Sequence, residues 1–273
     1  MENNKLPWEI VERPIYSNYN EIEGYKAIFR DDTETVLNVA KSTYTPVTNE
    51  RFFQVVNFLS QYTKFPLKDF GEVDGGKKVL AFLQVTEPLK ILGYDFKDYL
   101  MIGNSHDGST GFFIGNSNMM VRCSNRFTKH FRNIEIRHTT NLQEKIENLL
   151  TYFQNHYMNE RAEMKNTFEK WSGVDIDEEV KTMLVERLVN LKHEERADNS
   201  IISVRKKNLM KMINLSIVEE TNALGNNLFG LFNGVTHYTT HTRKNRQQIF
   251  CNALGGANEI NQTAYKFCDA FSN

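Results

Sequence analysis

The sequence predicts an α+β fold, with an antiparallel meander sheet and helices in the N-terminal half and a mainly helical C-terminal half. Three observations predict it. Short β-rich runs bounded by turn chemistry recur as far as residue 123. Apolar residues take up helical spacing from Asn141 onward. The 273 residues are 40% hydrophobic and 12% aromatic, ample for a buried core. The composition shift near residue 140 divides the chain into a β-rich core, 1–140, and a helical region, 141–273, expected to pack on it as one compact unit.

Tyr25 to Phe29 and Thr35 to Val39 are β-rich runs around the polar turn Arg30-Asp31-Asp32-Thr33. A helix follows, capped by Thr48 or Asn49, with Phe52, Val55, Val56 and Leu59 on one stripe. Phe65 to Val73 and Lys78 to Val85 flank Asp74-Gly75-Gly76, whose glycines permit the positive φ of a tight antiparallel hairpin. A second hairpin joins Tyr99 to Gly103 with Thr110 to Ile114. Gly115-Asn116-Ser117-Asn118 reads as a turn and Met119 to Cys123 as a further strand. A long amphipathic helix then carries Leu142, Ile146, Leu149, Leu150 and Phe153, and extends to Trp171, where Ser172-Gly173 stops it. Further helices are expected at Glu178–Leu191, Arg205–Leu224, Leu228–Thr240 and Ala257–Phe271.

Composition excludes several classes. The 33 Lys plus Arg balance 34 Asp plus Glu, so a nucleic-acid site has to be a local patch. Cys123, Cys251 and Cys268 form no C-x-x-C pair, which suggests neither a disulfide framework nor a cysteine zinc site and fits a reducing compartment. The polar N-terminus does not resemble a signal peptide, and no run reaches the roughly 18 apolar residues of a membrane span. A cytoplasmic location is therefore expected, with no membrane partner. Walker, G-x-G-x-x-G, G-x-S-x-G and kinase signatures are missing.

Two stretches carry possible chemistry. Asn104-Ser105-His106-Asp107-Gly108-Ser109 gathers an amide, two hydroxyls, an imidazole and a carboxylate between apolar strands, which suits a phosphate, a metal or a base edge. It equally suits an Asx hairpin turn with Gly108 at positive φ. The next segment carries Arg122, Arg126, Lys129, Arg132 and Arg137 with His130 and His138, opposed only by Glu135. If Asn125 caps a short helix, Arg126, Lys129 and Arg132 share a face, with Phe127 and Phe131 behind them. Such a face tracks phosphates, with Phe112, Phe113 or Tyr99 as stacking platforms, although a solvated basic face needs no ligand.

His237 and His241 stand one helical turn apart without the glutamate of H-E-x-x-H. A third metal ligand would have to come from His106 or His138. Glu194-Glu195 and Glu219-Glu220 lack the aspartates of a two-metal nuclease. Arg205-Lys206-Lys207 with Lys211, and Arg243-Lys244 with Arg246, either extend a basic track or decorate helices.

Four passages resemble a phage/plasmid-like family defined by a domain of unknown function. They are Tyr44-Thr45-Pro46-Val47-Thr48-Asn49, Asn104 to Ser109, Val121 to Thr139, and Leu228-Phe229-Gly230-Leu231-Phe232-Asn233-Gly234-Val235-Thr236 ahead of His241. Phe229 stands where many similar proteins have tryptophan. The resemblance implies a mobile-element setting and supplies no activity, catalytic residue or cofactor.

The leading expectation is a nucleic-acid-binding protein, single-stranded DNA favoured, acting in phage or plasmid replication or recombination. The order of elements looks like the core of phage annealing proteins of the Red-beta and Erf kind, a fold-level analogy. Its binding residues are Asn104, His106, Asp107, Arg122, Arg126, Lys129, Arg132, Arg137 and His138, with no catalytic set, metal or cofactor. Homo-oligomerisation and a host or phage protein partner are also expected readings, the latter as a virion component or an inhibitor of host defence. A metal- or His/Asp-dependent enzyme using His106, Asp107 and His138 is the third reading.

Overall fold

In a computed structural model the described residues are 5–87, 89–122, 124–136, 142–243 and 255–273. The chain is α+β, with antiparallel sheets in its first half and helices in its second. Strands β1 (Ile10–Ser17), β2 (Asn20–Arg30) and β3 (Val36–Lys41) form one sheet in that order. Strands β4 (Leu67–Val73), β5 (Lys78–Gln84), β7 (Tyr94–Ser105), β8 (Phe112–Met120) and β9 (Arg126–Ile136) form the second, with β6 (Leu89–Ile91) paired to β7. The helices are α1 (Asn49–Thr63), α2 (Leu142–Ser172), α3 (Glu178–Leu188), α4 (His193–Ala197), α5 (Val204–Leu224), α6 (Leu228–His237) and α7 (Gly256–Phe271).

Two elements differ from expectation. Gly115 to Asn118 is the interior of β8, not a turn, and β8 ends where Met119 to Cys123 was expected to continue as a separate strand. Residues 126–136 form a β-strand where the spacing of the cations suggested a helix. On a strand successive positions alternate between the two faces, so the three-residue spacing of 126, 129 and 132 does not keep these positions on one face as a helix would.

The chain divides into two compact units. The first comprises Met1–Pro88, Asp98–Ser117 and Lys129–Tyr157, and the second Leu89–Lys97, Asn118–Thr128 and Met158–Asn273. In the first, Phe52, Val55, Val56 and Leu59 of α1 join Val79, Ala81 and Leu83 of β5, Leu100 and Ile102 of β7, and Phe112 and Ile114 of β8 in one core. The strand residues share one face because they follow every second position. Thr48 caps α1 by accepting from Arg51 N at 3.1 Å, and the Glu9 carboxylate takes the N–H groups of Asn49 and Glu50 at 2.7 and 2.8 Å. A carboxylate at this end also meets the positive end of the helix dipole.

Arg30 ties the first unit together. Its guanidinium bonds Asp32 and Glu72, lies 4.2 Å from the centre of the Trp8 ring, and donates to the Gly75 carbonyl at 3.0 Å. These partners raise the pKa of Arg30, led by Asp32, whose carboxyl is in turn held below its ordinary range.

In the second unit α6 is buried along its whole length from Leu228 to Thr236. Its Phe229 and Phe232 pack with Phe168, Trp171 and Tyr265, in ring contacts with centroids 5.0 to 6.0 Å apart. Gly230 and Gly234 let α5 approach. A Cβ at Gly234 would lie 2.4 Å from Ile217 Cα, and one at Gly230 would lie 3.2 Å from Thr221 Cα. No helix among the described residues is long and apolar enough to cross a membrane.

Candidate functional site

The polar loop at the end of β7 lies in the first unit, and its hydrogen bonds run inward. Asn104 pairs with Val79 across β5 and β7, so its side chain takes the core face. It is fully buried and donates to the Val47 carbonyl at 3.3 Å. His106 is also fully buried. Its Nε2 stands 3.0 Å from Asn49 Oδ1, and its ring meets Trp8 edge-on at 5.7 Å. Through Asn49 the imidazole anchors the end of β7 to the start of α1. Asp107 Oδ1 accepts from Ser109 N at 2.9 Å, Ser105 Oγ bonds the Thr110 carbonyl, and Gly108 has φ 72°. This is an Asx turn closing a hairpin. His106 and Asp107 therefore do not present an imidazole and a carboxylate to a common substrate.

Other chemically active side chains converge in the second unit. Arg122, in the turn that follows β8, lies at the C-terminal end of α5, where Nη1 donates to the Ala223 carbonyl at 3.4 Å. The guanidinium lies 5.7 Å from the centre of the Tyr94 ring, and the residue is exposed. One of its five donors is used at Ala223, leaving others toward solvent. Because Gly225-Asn226-Asn227 is a short connection, α5 and α6 run antiparallel, and the side chains of Glu219 and Glu220 approach that of His237 at the end of α6. His237 Nδ1 is 3.1 Å from Glu220 Oε1 and 3.8 Å from Glu219 Oε2. Asn125 Nδ2 donates to the same Glu220 oxygen at 3.0 Å and to the Asn233 carbonyl at 3.3 Å. Helix α6 continues into a π-helical turn, Tyr238–Thr242, which brings the His241 ring to 4.9 Å from that of His237, perpendicular to it. Arg122, Glu219, Glu220, Ala223, His237 and His241 line a cavity of about 340 Å³.

Glu220 is buried, and the hydrogen bond from the Asn125 amide offsets part of the cost of that burial. Glu219 is exposed. Among the described residues no group of three or more His, Cys, Asp or Glu side chains is placed to hold a metal ion.

The start of β9 is bound on its outer side. Arg126 N donates to Thr240 Oγ1 at 3.2 Å, Asn261 Nδ2 to the Arg126 carbonyl at 3.4 Å, and Gln262 Nε2 to the Thr128 carbonyl at 2.6 Å. Arg126 itself is mostly buried. Lys129 and Arg132 follow along β9, where only the backbone is described, and Arg137 and His138 lie outside the described residues. Of the expected binding residues, Arg122 lines a cavity, beside His237 and His241. Tyr94 and the role of Glu220 escape the sequence. The short α5–α6 connection is the signal that could have pointed to Glu220.

A family model described as Domain of unknown function (DUF932) matches residues 36–257. No curated protein and no solved structure matches the chain.

Proposed function

We propose that this chain, which belongs to the family defined by the domain of unknown function DUF932, binds single-stranded nucleic acid at the Arg122 cavity, in the DNA metabolism of a phage or plasmid. The observation that carries the reading is the exposed Arg122 guanidinium laid over the Tyr94 ring at a cavity that also holds two imidazoles. Arginine beside an aromatic face is the pairing that single-strand binders use, the cation for phosphate and the ring for a base. Glu219 and Glu220 make the cavity itself a poor host for phosphate, so it takes the donor edge of a base while Arg122 meets the backbone outside.

Fluorescence anisotropy with a labelled oligonucleotide tests this. Affinity should fall with salt, with a logarithmic slope of about 0.7 for each phosphate neutralised. Arg122→Ala should weaken binding about tenfold, the scale of one lost charge-assisted contact. Affinity that ignores salt, or is equal for heparin, or is unchanged in Arg122→Ala, overturns the proposal.

A second reading draws on the 3.1 Å approach of His237 Nδ1 to the buried Glu220 carboxylate, which sets an imidazole beside a carboxylate as acid–base sites do. It requires turnover of a nucleic-acid substrate that His237→Gln abolishes without weakening binding.

A further inference from the structure

Helix α5 presents an exposed stripe whose charges run against its own dipole. Val204, Leu215 and Val218 are 74%, 60% and 51% exposed. With Asn208, Lys211 and Asn222, also exposed, they recur at steps of four, three, four, three and four residues along one face. The N-terminal half carries Arg205, Lys206, Lys207 and Lys211 with no acid in the first turn, and the C-terminal half carries Glu219 and Glu220 with no base in the last. The helix dipole favours the opposite arrangement at both ends. Within the chain Lys206 is paired with Glu195 at 2.6 Å and Glu220 is held by Asn125 and His237. Arg205 has no ion pair among the described residues, and Glu219 has only His237, at 3.8 Å.

We propose that α5 pairs antiparallel with α5 of a second copy of this chain about a two-fold axis near Ile213. The 4-3-4-3-4 step pattern reads the same from both ends, so the stripe is self-complementary in the way a two-fold interface requires. Val204 then faces Asn222 of the second copy, Asn208 faces Val218, and Lys211 faces Leu215. Beside this seam Arg205 meets Glu219 of the second copy at both ends, and Met212 meets its own equivalent at the axis. The pairing also sets each basic N-terminal half beside the negative end of the other helix, so both the side-chain charges and the dipoles become favourable. A groove of about 540 Å³ beside the stripe, lined by Ile202, Met210, Leu215 and Val218 with Lys207 and Lys211 at its rim, widens the apolar surface available.

Sedimentation of the full chain, with oxidative cross-linking, tests the proposal. The chain should sediment as a dimer. Arg205→Glu and Glu219→Arg should each weaken dimerisation about tenfold, since each reverses two symmetric ion pairs, and the double variant should restore it. Met212→Cys should form a disulfide-linked dimer on mild oxidation beyond that of the native chain, whereas Val204→Cys, far from the axis, should not. A chain that is monomeric at its highest soluble concentration overturns the proposal. So does a dimer unaffected by both charge reversals, a double variant that fails to recover, or a Met212→Cys chain that does not cross-link. Leu215→Asp, on an exposed position that leaves the helical circular-dichroism signal intact, should give monomer, and a persisting dimer counts against the interface.

Discussion

His106 and His237 are both surrounded by polar groups, and they occupy opposite kinds of place. His106 is fully buried in the first unit, its Nε2 directed at Asn49 and its ring against Trp8. His237 lines a cavity in the second unit, with Glu220 on one side and His241 on the other. The first histidine joins a strand end to a helix start, whereas the second leaves donors and acceptors where a ligand can reach them. What separates a structural polar cluster from a functional one is the direction of its hydrogen bonds, because a group satisfied inside the fold has nothing left to offer.

Variants that break each region should separate these roles, beginning with the framework of the cavity. Phe232→Ala empties a nearly buried site amid four aromatic rings and should cost about 3–5 kcal/mol in denaturant unfolding. A loss below about 1 kcal/mol would mean that α6 is not the centre of its unit. His106→Ala deprives Asn49 of its partner and should cost about 1–3 kcal/mol, while the folded variant binds oligonucleotide as the native chain does. Weakened binding at unchanged stability would return His106 to the list of ligand contacts.

Arg122→Ala should show the converse, with binding reduced about tenfold (~1.4 kcal/mol) and stability unchanged within about 0.5 kcal/mol. A drop in melting temperature without loss of affinity would make Arg122 a cap for α5 and nothing more. Asp107→Ala removes one turn hydrogen bond and should cost under about 1 kcal/mol, leaving binding untouched. The smallest effect concerns pH. Arg30 holds the Asp32 carboxyl below its ordinary range, so this contribution is complete above that range and is lost as pH falls below about 4 through the lowered folded value. Arg30→Met should flatten the acid limb of the stability profile, and an unchanged limb would show that the pair does not govern it.

Much of the fold was legible because its signals are local. Thr48 caps α1 as its position ahead of Phe52, Val55, Val56 and Leu59 implied, and the glycines at 75 and 76 turn β4 into β5. Strand β1 escaped because Ile10–Ser17 is mostly exposed and contains Pro14, next to which its register shifts. Asn116, Ser117 and Asn118 look like a turn by composition, yet they are buried within β8. The error at β9 has a geometrical cause. Phe127 and Phe131 are four apart, a spacing that one face of a helix and one face of a strand both satisfy. The loop at Asn104 was legible as a hairpin, but whether its polar groups face solvent or core depends on the pairing of Asn104 with Val79, which is a tertiary fact. Arg122, Glu220 and His237 each stand out by residue type. Their convergence depends on the close α5–α6 approach that Gly230 and Gly234 allow.

The most direct test of this division of roles is a paired measurement on Arg122→Ala and His106→Ala, recording oligonucleotide affinity and unfolding free energy for both. This division of roles requires that Arg122→Ala lose about tenfold in affinity at native stability, and that His106→Ala lose stability at native affinity. Affinity lost in His106→Ala and retained in Arg122→Ala would contradict it.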